Sequence, residues 1–589
     1  MATSLFVGTG GLERMQSGGK GGGGAGPAII ITRPTLFEHG ILPVPTAMPT
    51  ATQLCEMVGR FGGGGGRAAG GEGEKMGIST WHKIAKETIK MDTGFAQLVF
   101  DIFLDCTTTE LVGAVTEVDA VEFAIYLLLL SNSKEEIGIG GSPRALRADI
   151  AYPQLSAASE GTLSPRSQPK SPRTVLASGS KGVDLERRQI SFVHKHAKEL
   201  LLICGGAATA TRISPRQFDA LGVILMAPYP HCSAPPSSLV PWWRSGGRDS
   251  VAISDVVAWL LDAMPPLDPL PASPSSRASP PRTWSHDGML LDGSQVERNA
   301  TVVISNLSKV TIMRSAMDLA ERAAERGVSP EEAGQETASL AVRIQHCSDC
   351  YIYITAPVSR VAISGCHHCT VFVAGAALVT MDHCERLQVT AGCKRLRVAS
   401  CVDSTLQILT NRQPVVIGDN HDLLLAPFNA LFCDCLSFWR QLNIDRTKNR
   451  WAEPLSVSRT TSSTVLSGGA VPGQSLMAPS NFFCSTIPCS APQSASLVAS
   501  QANPCPLPPA YATVLQNKHK QVLDLRKGIA ETEAALPNTK PVLQRAIQAK
   551  FKEWLVASGN LRQVNDLVHM EHSQPSSDHS RLLAHPSAQ

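Results

Sequence analysis

No stretch of this sequence stays apolar over the roughly 18 or more residues that a membrane-spanning helix needs. Apolar runs such as residues 123–130 stop well short, so no membrane span is expected. Charge is also scarce. Only 17% of the 589 residues are charged and the net charge is +3, too weak a field to argue for nucleic acid or an anionic membrane as partner. The N-terminus lacks a basic segment followed by an apolar one, so no secretory signal is expected and the cytosol is the expected compartment. Catalytic signatures are missing too. The glycine runs near the N-terminus are not followed by the Gly-Lys-Ser/Thr of a phosphate loop, and there is no nucleophile elbow or His-Glu-x-x-His helix. No cofactor or resident metal is expected.

What the chain does have is a repeat. Cys347-Ser-Asp-Cys350-Tyr-Ile-Tyr-Ile is followed by Cys366-His-His-Cys369-Thr-Val-Phe-Val, Cys384-Glu-Arg-Leu-Gln-Val and Cys401-Val-Asp-Ser-Thr-Leu-Gln-Ile. The leading cysteines are 19, 18 and 17 residues apart. A period near twenty with one short β run per unit predicts a solenoid of stacked strands, because a single unit cannot bury its own apolar face. Sixteen cysteines without a secretory signal read as reduced thiols. The two Cys-x2-Cys pairs have a spacing compatible with tetrahedral zinc. The other reading is small apolar residues at equivalent corners of the stack. Three features favour it: each pair opens a β run, Cys384 and Cys401 continue the series singly, and free cysteine is among the most buried residue types.

Composition divides the rest. Residues 1–75 are glycine-rich and expected to be mostly disordered, with an apolar segment from Ile29 to Leu54 that can dock on the neighbouring helical region. Residues 76–264 carry amphipathic patterns separated by Ser/Pro/Arg-rich inserts and predict a helical domain. Trp81, Trp259 and, further on, Trp554 lie on helical faces and read as core anchors. Residues 265–300 form a Pro/Ser linker. The repeat region, 301–436, is interrupted by an alanine-rich helix over residues 313–326 and is capped at its end by residues 432–439. A mostly Ser/Pro linker (437–509), a C-terminal helical hairpin (510–570) and a disordered tail (571–589) complete the chain.

One charge cluster stands out, Cys393-Lys394-Arg395-Leu396-Arg397-Val398. Side chains alternate along a strand, so Leu396 and Val398 are expected inward and Arg395 and Arg397 outward, toward solvent or a partner. An outward arginine on a rigid sheet can enter a partner's nucleotide site and stabilise the transferring phosphoryl group. The plainer alternative is a pair of solvated arginines. Arg397 is thus the candidate catalytic residue, and Lys394, Arg395 and Arg397 are the candidate binding residues.

Residues from about 341 to 432 resemble the C-CAP/cofactor C-like domain found in tubulin-binding cofactor C, retinitis pigmentosa protein 2 and cyclase-associated proteins. The resemblance rests on Cys393-Lys-Arg-Leu-Arg397, Asn411-Arg-Gln-Pro-Val-Val-Ile and Leu425-Ala-Pro-Phe428. It implies a right-handed parallel β-helix flanked by helical regions, an α+β multidomain chain. In that family the last arginine of a Cys-Gln-Gln-Leu/Phe-Arg motif is a finger that stimulates GTP hydrolysis by tubulin or Arf-like GTPases. Here Arg397 stands at that place, but Lys394 and Arg395 replace the glutamines. The flanks, Ser79-Thr-Trp-His-Lys-Ile-Ala85 and Lys550-Phe-Lys-Glu-Trp-Leu-Val-Ala-Ser-Gly559, resemble a branch associated with centrosomes, basal bodies and spindle poles. The resemblance therefore implies a non-enzymatic cytoskeletal scaffold that positions the centrosome and organelles. Its expected partners are centrosomal or tubulin-related proteins, with tubulin or a small GTPase as candidates.

Overall fold

The structure, a computed structural model, describes residues 30–43, 48–62, 75–108, 117–136, 181–228, 231–244, 249–265, 294–296, 301–319, 340–418, 420–459, 464–468, 473–487, 503–535, 540–558 and 560–573. The glycine runs, much of the Ser/Pro-rich inserts, most of residues 265–300 and the tail beyond residue 573 lie outside the described residues, and so does their expected disorder.

The N-terminal region is helical. Its centre is the Ala120–Glu136 helix, buried on every side from Phe123 to Leu130. A helix apolar all round belongs in a core. The Thr93–Thr107 helix packs beside it. Asp92 caps its first turn by accepting from the Phe95 amide at 3.1 Å, which satisfies a donor that has no partner inside the helix. Trp81 locks the two together: its indole N–H donates to the Ala96 carbonyl at 2.8 Å, and its ring meets Phe123 edge-on at 4.8 Å. Residues 30–62, within the segment expected to be mostly disordered, supply the Pro34–His39 and Ala51–Gly62 helices. They bury Ile30, Leu36, Leu42 and Leu54 in this same core.

Among the described residues the repeat region folds into a 13-stranded sheet. It is parallel except where Ser294–Val296 and Thr464–Gly468 add antiparallel edges. Three long strands, Tyr351–Ser364, Thr370–Asp382 and Gln388–Ala399, form its middle. Their registers slip between Ile354 and Pro357 and between Val373 and Ala376, so each strand bends and serves two ladders. One ladder stacks 311–315, 351–354, 370–373, 388–391, 405–408 and 423–427. The other stacks 301–305, 341–345, 360–364, 378–382, 395–399 and 415–417. This arrangement is compatible with a parallel β-helix.

The cysteine repeat marks the turns between ladders. Left-handed backbone recurs in pairs three residues apart: His346 and Asp349, Gly365 and His368, His383 and Arg386, Ser400 and Asp403. The leading cysteine follows the first residue of each pair. Its thiol points inward and lies within hydrogen-bonding reach of the carbonyl two residues back, as in Cys366 to Ser364 at 3.5 Å and Cys384 to Asp382 at 3.3 Å. All six repeat cysteines belong to one apolar core. Among the described residues no cluster of three or more His, Cys, Asp or Glu is arranged to hold a metal ion.

Four expectations need correction. Residues 311–315 are a strand rather than the opening of a helix over 313–326; a helical turn starts only at Ala316. The 432–439 segment covers a side of the stack rather than its end. Its Cys435–Gln441 helix lays Trp439 over the strand bends, where the indole N–H donates to Ala374 at 2.8 Å. A Cβ at Gly392 would sit 2.3 Å from that nitrogen, so only glycine fits there. The stack also continues into 437–509, where Leu455–Arg459 pairs with Val415–Ile417 and Gln474–Leu476 pairs with His421–Pro427. Finally, the Pro509–Ala535 and Lys540–Ala557 helices, where a hairpin was expected, are followed by a third helix, Leu561–Ser573, and Trp554, expected in the core, is exposed.

Candidate functional site

The alternation expected around residue 397 holds, but the outward side chains do not reach solvent. Leu396 and Val398 are fully buried in the stack, while Lys394, Arg395 and Arg397 are only 3%, 5% and 9% exposed. The physical reason is a second layer. The N-terminal helices dock on this outer face, and their Glu38 and Asp105 supply carboxylates to Arg343, Arg395 and Arg412, while Asp382 of the stack serves Arg397.

Register places the cations in two columns. Arg343, Ala362, Thr380 and Arg397 are successive partners across the parallel strands, and so are Ala341, Arg360, Leu378 and Arg395. Neighbouring strands lie about 4.8 Å apart, so the arginines share one compact patch. Arg343 pairs with Glu38 of the Pro34–His39 helix. Arg395 pairs with Asp105 at the end of the Thr93–Thr107 helix, and Arg412 approaches the other oxygen of that carboxylate at 3.5 Å. Arg397 is held at both ends of its guanidinium. Nη2 donates to Asp382 at 2.9 and 3.2 Å, and Nη1 donates to the Ile41 carbonyl at 2.8 Å. Arg412 also ties the bend together, its amide donating to the Lys394 carbonyl at 2.8 Å.

Burial shapes the titration of this junction. His39 is buried, and its pKa lies well below the usual histidine value, first because of desolvation and then because Arg360, Arg397 and Arg343 face it. Burial also lowers the pKa of Arg360 and of Lys394. The Cys106 thiol, beside Asp105, is pushed up to about 12, chiefly by burial. These shifts describe a dry, cation-rich contact between two layers.

The structure thus brings all three candidate residues together, and adds Glu38, His39, Asp105, Arg343, Arg360 and Asp382, which the sequence reading did not single out. Part of this set carried a usable signal. Arg343 and Arg397 both lie four residues before a leading cysteine, so aligning the repeats stacks them. Glu38 and Asp105 carried none, being 305 and 290 residues from their partners.

Comparison with known proteins agrees with the repeat region. Residues 339–456 match the family described as Tubulin binding cofactor C. TBCC domain-containing protein 1 of Xenopus tropicalis is 25% identical over 268 residues, 45% of this chain and 43% of that protein. The mouse protein of the same name is 28% identical over 229 residues, 38% of this chain and 39% of its own length, and the human one 25% over 233 residues, 39% of each. The matched region therefore spans about two-fifths of these relatives. The parallel stack thus contains the region, residues 339–456, that is similar to tubulin binding cofactor C.

Proposed function

We propose that this chain is a non-enzymatic cytoskeletal scaffold of the cytoplasm, acting at the centrosome, spindle pole or basal body in centrosome and organelle positioning. In this reading the parallel stack coils as a right-handed β-helix and presents rigid faces to centrosomal or tubulin-related partners. One observation carries the non-enzymatic part. The Arg397 guanidinium is bound within the chain, between Asp382 and the Ile41 carbonyl, and lies under the N-terminal helices. An arginine finger has to reach the phosphates of a partner's nucleotide.

The test is imaging of the tagged full-length protein against a centriole marker in dividing cells. Focal signal is expected, retained by Arg397→Ala and lost on removal of the stack. Diffuse or membrane-associated signal would overturn the reading.

A second reading makes the chain a GTPase-activating protein for tubulin or an Arf-like GTPase through Arg397, with Lys394 and Arg395 as contact residues. It is favoured by the place of Arg397 in the motif. A finger accelerates hydrolysis by on the order of 10³-fold or more, so single-turnover GTP hydrolysis decides. The absence of acceleration with tubulin and Arf-like GTPases removes this reading.

A further inference from the structure

The C-terminal hairpin carries an apolar seam that begins on the stack and runs off it. Tyr511, Leu515, Lys518, Val522, Leu525 and Ile529 lie on one face of the Pro509–Ala535 helix, spaced alternately four and three residues apart. That is the seam of a coiled coil. Its first three positions are occupied. Tyr511 is buried, meets Trp451 and Phe482 edge-on at 5.7 and 5.2 Å, and donates its hydroxyl to the Met477 carbonyl. Leu515 packs against the same core. Lys518 Nζ donates to the Ser480 and Phe482 carbonyls, each at 2.8 Å. Past that point the seam continues uncovered, with Val522 46% and Leu525 65% exposed.

The returning Lys540–Ala557 helix does the same. Ile547, Phe551 and Trp554 share one side at helical spacing. Phe551 and Trp554 stack at 5.8 Å, yet both are more than half exposed. Contiguous apolar surface of this kind marks an interaction site.

Charge selects the occupant. Residues 509–557 hold eight Lys/Arg and four Asp/Glu, net +4, whereas the whole chain is +3. The basic excess of the protein is thus concentrated in this hairpin. A second copy would bring +4 against +4. A bilayer takes one side of a helix, but the exposed Val542 and Val556 lie roughly opposite Phe551 and Trp554 at about 100° per residue. We infer that the exposed seam of the C-terminal hairpin docks an acidic amphipathic helix of a partner protein, apolar residues on the seam and carboxylates drawn to the basic helices, with Arg526 and Lys550 standing beside the apolar faces at helical spacing.

This deepens the scaffold reading by naming a partner class, and it is tested apart from cellular address. The probe is a synthetic peptide of about four heptads with leucine at the seam and glutamate at the flanks. It is titrated by fluorescence anisotropy against the full-length protein, beside a lysine-flanked control. Anionic phosphatidylserine vesicles and sedimentation velocity of the protein alone complete the set. The acidic peptide is expected to bind, more weakly as salt rises, and the lysine peptide not to bind. Leu525→Glu and Trp554→Glu are each expected to weaken binding at least about tenfold with thermal unfolding unchanged, since both side chains are exposed. The inference falls if the acidic peptide fails to bind or binds both variants as tightly as the parent. It also falls if vesicle binding or self-association, rather than peptide binding, is what the two substitutions abolish. Focal localisation without peptide binding removes this inference alone, and peptide binding with diffuse signal removes the scaffold's address alone.

Discussion

Leu396 and Arg397 are neighbours on one strand, yet they belong to different kinds of structure. Leu396 points into the stack, where its surroundings come from the same short unit repeated above and below. Arg397 points outward, and one of its partners, the Ile41 carbonyl, lies 356 residues away. The inner face is made by repetition and the outer face by docking. A chain can therefore keep the core of a β stack while changing what covers it, and the outer face is where the helical region sets the behaviour of the arginines.

Breaking the outer face should have the largest effect. Asp105 faces both Arg395 and Arg412 with almost no solvent. Asp105→Ala leaves buried guanidinium charge uncompensated, and losing one partner of a buried pair costs about 3–5 kcal/mol. Limited proteolysis is expected to release the N-terminal helices from a stack that stays protected. If the stack unfolds with them, the two faces are one cooperative unit and the distinction between them fails. Arg395→Met added to Asp105→Ala should recover much of the loss, because removing both charges also removes their desolvation.

Leu396→Ala attacks the inner face. Its side chain is wholly buried, and such truncations cost about 2–5 kcal/mol through lost transfer energy and the cavity left behind. Here the melting temperature of the stack itself should fall, read by calorimetry, without earlier release of the helices. Early release would mean that the docked layer senses core packing directly.

The same contrast explains what could be read from the sequence. Stacked strands were legible because cysteines, each leading into a short β run, return every 17 to 19 positions. The inward direction of Leu396 and Val398 came from strand alternation. The burial of Lys394, Arg395 and Arg397 was not legible, since alternation separates two faces without saying what lies on either. Asp105 and Glu38 look like ordinary polar residues at helix ends until the helices dock. The continuation of the stack through Leu455–Arg459 and Gln474–Leu476 was hidden by Ser/Pro-rich composition, because short edge strands need few apolar residues. Trp554 was misplaced for a related reason: a helical face that looks like a core face is also what a partner-binding face looks like.

A smaller effect should come from His39. Its pKa is depressed, so the folded protein holds it neutral while the unfolded chain protonates it near 6.5. Its contribution to stability is complete above about pH 6.5 and is lost as pH falls from there toward its folded pKa, by at most about 1.4 kcal/mol per pH unit. The groups facing it are Arg343, Arg360, Arg397 and Glu38. Denaturant unfolding at pH 7.5 and 5.5 should show a steeper acid loss in the parent than in His39→Gln. Equal losses would show that protonation of His39 does not govern the junction.

The smallest effect belongs to the turns, where an ion pair exists but solvent screens it. His368 Nδ1 and Asp349 Oδ1 lie 2.6 Å apart on adjacent turns, both substantially exposed, and the hydrogen bond from His368 holds the Asp349 carboxyl below its usual pKa. That contribution is present above the ordinary aspartate pKa and is lost as pH falls through the lowered one. Exposed pairs contribute about 0–1 kcal/mol, so Asp349→Asn should change stability by less than about 1 kcal/mol. Asparagine isolates the charge because Asp349 sits in left-handed backbone with φ 53°, which asparagine tolerates. The main-chain carbonyl that accepts from Arg562 is also kept. Asp349→Ala removes the same charge but forces a Cβ-bearing residue with no local hydrogen bond into that conformation, adding about 1–2 kcal/mol. Alanine should therefore cost more than asparagine, and the gap measures the backbone of the repeated turn rather than its ion pair. If the two substitutions cost the same, the charge is the dominant element, and the turns depend on their side chains as the outer face does.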